Sequence, residues 1–282
     1  MKVEMNHDKV KVIRRTQECR DTFTLELDSD VQAGPGHFFM LYLPDLPKKH
    51  PETGKKQGQE RPFTVAGIKP LRFTMRKAGP FTDMASTLGR KDHIQVTGPL
   101  GNSYLDLIDN KTPNHYLIAG GCGAAGHGFL AEELFDLGIE PSFLVGAKSK
   151  EDLLVPGGIN SCVFKAIYRA TEDGTDPSCI MGNAVDLIDK AGPEEDAIAY
   201  VCGPRPMLVA AADKLLKYGI DPENILLALE PIMKCGRGVC GSCEIDGYHA
   251  CTDGPIFRYS ALAEAEDFKE YTRAKSGKLL PI

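Results

Sequence analysis

Four cysteines near the C-terminus, Cys235, Cys240, Cys243 and Cys251, follow the spacing C-x4-C-x2-C-x7-C. Three thiols crowded into one loop, with a fourth standing apart, form a ligand pattern of a [2Fe–2S] cluster. Gly236, Gly238, Gly241 and Ser242 fill the gaps between them. Residues this small let the loop curl tightly and aim backbone N–H groups at sulfur, which tunes the potential. A structural zinc site also takes four cysteines, though more often as two C-x2-C pairs. Disulfides fit poorly, because nine cysteines leave at least one unpaired and the opening MKVEMNHDKV is charged rather than secretory. The pattern points to a carrier of single electrons in a reducing, cytoplasmic setting.

Other segments could hold an organic cofactor. Gly120, Gly121 and Gly123 lie between an apolar strand, HYLIAGG, and a helix-like stretch, GFLAEELFDLG. Glycines there let a dinucleotide phosphate approach the backbone at a helix N-terminus, although the spaced G-x-G-x-x-G form is absent. Cys202, Gly203 and Pro204 follow a second strand, AIAYV, at the sheet edge where open α/β folds take ligands. The Cys202 thiol either packs against a nicotinamide ring or serves as a small buried hydrophobe. Arg61-Pro62-Phe63-Thr64 offers a guanidinium fork and a hydroxyl to a diphosphate. Gly79-Pro80-Phe81-Thr82 is non-specific by itself and reads as a turn with a capping threonine. His127 reads as a polar residue at a helix start rather than a proton donor.

Two kinds of element must position these groups. VKVIRR, TFTLELD, HFFMLYLP, RPFTVAGI, LRFTMRKAG and HIQVTGPLG alternate with period two between turn residues, which predicts a small antiparallel barrel to about residue 105. From HYLIAGG onward, strands (PSFLVGA, VFKAIYRA, AIAYVCG) alternate with helical periods (AVDLIDKAG, MLVAAADKLLKYG), the pattern of a parallel sheet with helices on its faces. Three units follow: a barrel over 1–105, an α/β domain over 106–227, and a cysteine module with tail over 228–282.

In this order the motifs resemble the ferredoxin-reductase superfamily. The resemblance implies FAD on Arg61 to Thr64, on Thr74, Met75 and Arg76, and on Gly79 to Thr82. It also implies nicotinamide nucleotide, NAD or NADP, on Gly120, Gly121, Gly123 and Cys202 to Pro204. The ending Cys251-Thr252-Asp253-Gly254-Pro255-Ile256-Phe257 is similar to that of dihydroorotate dehydrogenase B electron-transfer subunits, over nearly the whole chain. That family implies a [2Fe–2S] cluster on the four cysteines and a catalytic partner carrying FMN, in a heterotetramer serving pyrimidine synthesis. Subunits of ferredoxin:NADP reductase (sulfide dehydrogenase) and hydrogenase diaphorase share most of these motifs, and a zinc-stabilised binding protein is the non-enzymatic alternative. The chain departs from the pattern in its short seven-residue gap before Cys251 and in Ala124-Ala125-Gly126-His127 after the glycine turn.

Composition sets the outer bounds. At 282 residues and 42% hydrophobic content the chain can bury sizeable cores, and its net charge of −6 carries no basic stripe for nucleic acid. No run approaches the ~20 apolar residues that span a bilayer. The best stretch, residues 225–233, is broken by Glu230. Lys48, Lys49, Lys55 and Lys56, in a long polar loop over 44–60, read as a solvated surface.

Overall fold

The computed structural model describes residues 8–49, 59–108, 112–155, 163–273 and 279–281, so Lys55 and Lys56 lie outside the described residues while Lys48 and Lys49 are exposed. The first unit is an antiparallel sheet of β1 (Asp8–Cys19), β2 (Thr22–Leu27), β3 (Phe38–Tyr42), β4 (Glu60–Thr64), β5 (Leu71–Arg76) and β6 (His93–Leu100), in the order β4-β3-β6-β1-β2-β5. Period-two alternation does the work: Phe23, Leu25 and Leu27 on β2 and Leu71, Phe73 and Met75 on β5 all turn into one core. The outer strands β4 and β5 are tied where the Ala66 N–H donates to the Arg72 carbonyl and the Arg72 N–H to the Gly67 carbonyl, each at 2.8 Å. Such curling hides sheet edges from water. Between β5 and β6, Pro80–Ala85 forms a short helix, α1, where the sequence suggested only a turn. Proline at its first position supplies the fixed φ that starts a helix.

The second sheet contains β7 (His115–Gly120), β8 (Ser142–Ala147), β9 (Ala166–Thr171), β10 (Ile180–Met181), β11 (Ile198–Cys202), β12 (Ile225–Ala228) and β15 (Ile256–Arg258), in the order β10-β9-β8-β7-β11-β12-β15. The first six run parallel. Helices α2 (Ala124–Asp136), α3 (Asp186–Ala191) and α4 (Arg205–Lys217) link them. Every residue of β8 and of β12 is buried, as strands covered on both faces must be. Strand β15 was not anticipated. It joins the sheet antiparallel to β12, so the segment after 228 completes the α/β sheet instead of hanging from it, and a division at 227/228 falls inside β12. The remaining elements are the hairpin β13 (Glu244–Ile245) and β14 (Tyr248–His249), helices α5 (Tyr259–Leu262) and α6 (Glu266–Lys269), and the pair β16 (Tyr271–Arg273) and β17 (Leu279–Pro281).

Side chains lock the two sheets together. Phe129 of α2 is buried in the barrel's core, and Arg72 pairs with Glu132 at 3.1 Å. Arg20 bonds both Asp152 and Ser149 after β8. Among the described residues no helix is long and apolar enough to cross a membrane.

His127 stands in the first turn of α2, and it is buried there. It is 1% exposed, its Nδ1 has no partner among the described residues, and its Nε2 only faces the Tyr104 hydroxyl at 3.5 Å. Burial pulls the imidazole down to about 3, so it stays neutral in the fold while the unfolded chain protonates near pH 6.5. Stability from this group is therefore complete above pH 6.5 and is lost as pH falls from there toward 3. Between pH 7.5 and 5, His127 should account for up to about 2 kcal/mol of lost unfolding free energy. Urea denaturation at the two pH values should show a smaller loss in His127→Leu than in the parent; equal losses would show that His127 is not the acid-sensitive group.

Candidate functional site

The parallel strands proceed from β7 outward to β10, and the chain then returns to lay β11 on the other side of β7. Ligands of open α/β sheets bind at that reversal, beyond the strands' C-terminal ends. Both sequence-predicted turns are there. Cys202, ending β11, pairs with Ala119 of β7, so Cys202-Gly203-Pro204 lies beside Gly120-Gly121-Cys122-Gly123. The glycines divide by role. A β-carbon on Gly123 would lie 2.7 Å from the Cys202 carbonyl carbon, and one on Gly203 would lie 2.7 Å from the Met207 sulfur. Gly120 is closed by the same Met207 sulfur. Only Gly121, with φ of +55°, looks onto open space, where a ligand could reach the backbone.

The barrel faces this edge. On β4, Arg61, Pro62 and Phe63 are half-buried and Thr64 is exposed, and Gly126 in the first turn of α2 lies 3.4 Å from the Thr64 methyl, measured to its would-be β-carbon. Phe63 stacks on Phe81 with ring centroids 5.7 Å apart, which sets α1 beside β4. The Thr82 hydroxyl accepts from the Ala78 N–H at 2.8 Å and donates to the Gly79 carbonyl at 3.0 Å. Nothing approaches Gly79, whose φ is +145°. On β5, Thr74 bonds Thr24 at 2.8 Å, Met75 points into the core and leaves only its backbone for a ligand, and Arg76 is exposed. Arg76 acts electrostatically on Cys122 and on Glu230, a cleft residue the motifs did not single out. Glu230 is reached by solvent yet enclosed by protein, as at the floor of a cleft. Its burial among protein atoms raises the carboxyl above the usual range, against the pull of Arg76. Burial raises the Cys202 and Cys122 thiols too, so neither is a thiolate poised to react.

The four cysteines come together as two pairs. Cys243 and Cys251 are buried with sulfurs 3.3 Å apart, and Cys235 bonds Cys240 nearer the surface. The Gly238 N–H donates to the Cys251 sulfur at 3.0 Å and the Arg237 N–H to the Cys235 sulfur at 3.4 Å. Among the described residues no three His, Cys, Asp or Glu side chains gather as ligands of one ion. Two thiol pairs with N–H groups on sulfur fit a two-iron cluster better than a single tetrahedral ion. Burial opposes ionisation of Cys240, but bonds from Ser242 and Cys235 outweigh it and bring the thiol down to about 6. Burial and the neighbouring Cys243 push Cys251 up instead. Four thiolates this close need the positive charge of bound metal. The eight described cysteines are all free of disulfides.

The C-terminal motif holds this loop in place. The Asp253 carboxylate accepts from the His249 N–H at 2.7 Å, tying the end of β14 to the turn that carries Cys251. Asn102, just after β6, donates to the Ile256 carbonyl at 2.9 Å and accepts from the Ile256 N–H at 3.0 Å, while its own N–H bonds the Gly254 carbonyl at 2.7 Å. Gly236 would place a β-carbon 3.1 Å from Met40 and 3.2 Å from Leu100, and Arg237 acts on Glu60, the half-buried neighbour of Arg61. The cluster loop thus lies against β3 and β6, and Met40 of β3 is paired with Pro62 of the strand that carries Arg61 to Thr64.

Comparison with known proteins agrees with this geometry. Residues 230–263 match the iron-sulfur cluster binding domain of dihydroorotate dehydrogenase B. The probable dihydroorotate dehydrogenase B (NAD(+)) electron transfer subunit of Pyrococcus furiosus is 30% identical over 275 residues, 97% of this chain and 99% of that one. The protein of the same description from Methanocaldococcus jannaschii is 31% identical over 93% of each chain. Among solved structures, the NADH-dependent reduced ferredoxin-NADP oxidoreductase, studied for flavin-based electron bifurcation, superposes with a TM-score of 0.73 at 27% identity, over 89% of this chain and 88% of that one. The ferredoxin NADP+ reductase of Neisseria gonorrhoeae, solved with FAD and NADP, shares the fold at a TM-score of 0.63 and 14% identity, over 79% and 98% of the two chains. The chain belongs to the family of dihydroorotate dehydrogenase B electron transfer subunits.

The two glycine contacts predict opposite outcomes for the same substitution. Gly123→Ala forces a methyl against the Cys202 backbone and should destabilise by about 1–3 kcal/mol. Gly126→Ala meets only the Thr64 methyl at 3.4 Å inside a helix, and should be neutral or stabilise by up to about 1 kcal/mol. Urea unfolding of both variants checks this; a harmless Gly123→Ala would mean that the two turns are not interlocked.

Proposed function

We propose that this chain is the electron-transfer subunit of a dihydroorotate dehydrogenase B, passing electrons between the FMN of a separate catalytic subunit and NAD by way of a [2Fe–2S] cluster and FAD in pyrimidine biosynthesis. What carries the reading is the packing of the four-cysteine loop onto the barrel face beside Arg61, in a chain similar over nearly its full length to relatives of that description. On this reading the antiparallel sheet is the FAD unit, the parallel sheet the nicotinamide unit, and the segment after β12 the cluster unit, lending β15 to the parallel sheet.

Each unit has its own task. Cys235, Cys240, Cys243 and Cys251 hold the cluster, with the Arg237 and Gly238 N–H groups stabilising negative charge on sulfur. Arg61 and Thr64, with the backbone around Thr74 to Arg76 and the Gly79–Thr82 segment, hold FAD, the open space at Gly79 leaving room for phosphate. Nicotinamide nucleotide lies over Gly121, with Cys202 to Pro204 walling the ring's side of the cleft. When bound, the flavin exchanges hydride with nicotinamide and single electrons with the cluster. The protein's own share is to orient the groups, exclude water and set charge through Arg76 and Glu230. Oxidation of dihydroorotate is assigned to the partner, because an FMN-bearing β/α barrel takes ~250 residues by itself and the three units here are committed elsewhere. Two copies of each subunit make the proposed heterotetramer.

The likeness to the NADH-dependent ferredoxin-NADP oxidoreductase favours a second reading, a subunit that serves ferredoxin instead of dihydroorotate. One set of measurements separates the readings. Anaerobically purified protein should contain two irons and one FAD per chain and give a [2Fe–2S] paramagnetic resonance signal on reduction. Arg61→Ala should release flavin on gel filtration. Alone, the chain should be reduced by NADH without oxidising dihydroorotate; adding the cognate FMN subunit should create NAD-linked dihydroorotate oxidation. Stoichiometric zinc without iron, or FMN as the only flavin, would overturn the proposal. Activity that appears only with ferredoxin would establish the second reading.

A further inference from the structure

Arg205 opens α4 immediately after Cys202-Gly203-Pro204, yet its guanidinium is committed away from that turn. Its Nη1 donates to the Asp267 carbonyl at 2.6 Å and to the Tyr271 carbonyl at 3.2 Å, and the group lies 6.0 Å over the fully buried Phe268 ring. Asp267 faces both ways. While its carbonyl accepts from Arg205, its N–H donates to the Asp246 carboxylate at 3.2 Å. Asp246 and Gly247, both at positive φ, form the turn of the β13–β14 hairpin. That hairpin has two residues per strand and follows Cys243 directly, too little ladder to stay ordered unaided. A cavity of about 50 Å³ between the hairpin and α4, room for a water or two, is walled by Arg205, Glu230, Ser242 and Glu244. Pro231 and Ile232 line it as well, and Ile245 anchors one hairpin strand in the core, so the Arg205 strap is what ties the hairpin's turn.

We infer that Arg205 is a positioning residue for electron transfer: through the backbone of residues 267–271 it fixes the cluster hairpin relative to the nicotinamide end of the sheet. The inference rests on the function proposed above. Electron tunnelling falls off exponentially with distance, so a hairpin free to shift over the cavity would slow the step between flavin and cluster while leaving the flavin's reaction with nicotinamide untouched. Both bonds leave the single Nη1 while the flat guanidinium lies over the Phe268 ring, a combination that a lysine ammonium reproduces less well.

The full chain, loaded with FAD and cluster, is compared with Arg205→Met, Arg205→Lys and Asp246→Gly. The last removes the carboxylate that accepts from Asp267 while suiting the turn's positive φ. In Arg205→Met, NADH should reduce the flavin at the parent rate, but cluster reduction in stopped flow should be about tenfold slower. Amides of residues 244–249 should exchange hydrogen faster, and those of 198–202 should not. Asp246→Gly should change both readouts in the same direction, and Arg205→Lys should fall between. Parent-like cluster reduction and exchange in both Arg205→Met and Asp246→Gly would overturn the inference. So would a raised KM for NADH with unchanged cluster reduction, which would make Arg205 a nucleotide-binding residue. If Arg205→Met does not fold, Asp246→Gly decides alone. Absence of iron or FAD from the parent defeats the functional reading instead, and the exchange measurement still reports on the strap.

Discussion

Residues 254–258 are held from two sides, and the arrangement of the site depends on that grip. Asn102, at the exit of the barrel's last strand, makes hydrogen bonds to Gly254 and Ile256. On the other side β12 adds β15 as an edge partner, and the Leu229 N–H bonds the Pro255 carbonyl at 2.9 Å. Each contact uses backbone or a short side chain, so the chain there has little freedom to slide. A β-carbon on Gly254 would strike the Phe257 ring, and one on Gly101 would lie 2.6 Å from Pro255. Three residues before this clamp stands Cys251. Its thiol is therefore placed by the junction of both sheets, and Cys243 is brought to it by the β13–β14 hairpin, with the Ala250 N–H bonding the Cys243 carbonyl at 3.2 Å.

The outer pair of thiols is positioned differently. Cys240 is exposed, and its neighbour Val239 is 75% exposed, an unusual fraction for an apolar side chain beside a prosthetic-group loop. What orders that half of the loop is the contact of Gly236 with Met40 and Leu100 and the N–H groups directed at sulfur. Bound metal supplies the rest, since it alone lets the four thiolates coexist. One side of the loop thus belongs to a rigid frame and the other to the ligand it binds.

Much of this was legible in the sequence, and the exceptions share a cause. Period-two runs disclosed the barrel strands because one face of each had to be apolar. The continuous apolar runs of HYLIAGG and PSFLVGA disclosed the doubly covered sheet. Cysteine spacing disclosed the thiol site because ligand geometry constrains local sequence. By contrast Asn102 and Arg205 look ordinary in sequence; their importance lies in partners 154 and 62 residues away. Strand β15 has three residues, too few to show a period, and α1 was hidden because proline and glycine suggest a turn. The place of His127 at a helix start is legible, but its burial is not, because the face it occupies turns toward Tyr104. Long-range packing writes no local signature.

The glycine turn carries the same lesson into function. A run of glycines between strand and helix is ordinarily attributed to phosphate, yet Gly123 is required here by the Cys202 backbone, while Gly120 and Gly203 face the movable end of Met207. Those contacts draw the two turns together at the sheet's reversal point. Their closeness leaves Gly121 as the open backbone position, next to a cleft whose charge comes from Arg76 on the barrel and Glu230 on the sheet. The pair spans the two units. Both side chains reach solvent, so their attraction is screened and shapes the potential of the cleft more than it holds the sheets together. Arg72 with Glu132 and Arg20 with Asp152 tie the same interface farther out. The contacts that keep the barrel and the α/β sheet from drifting apart therefore also hold Arg76 and Glu230 across the cleft from each other. A change that loosens the interface alters the electrostatics of the cleft in the same step.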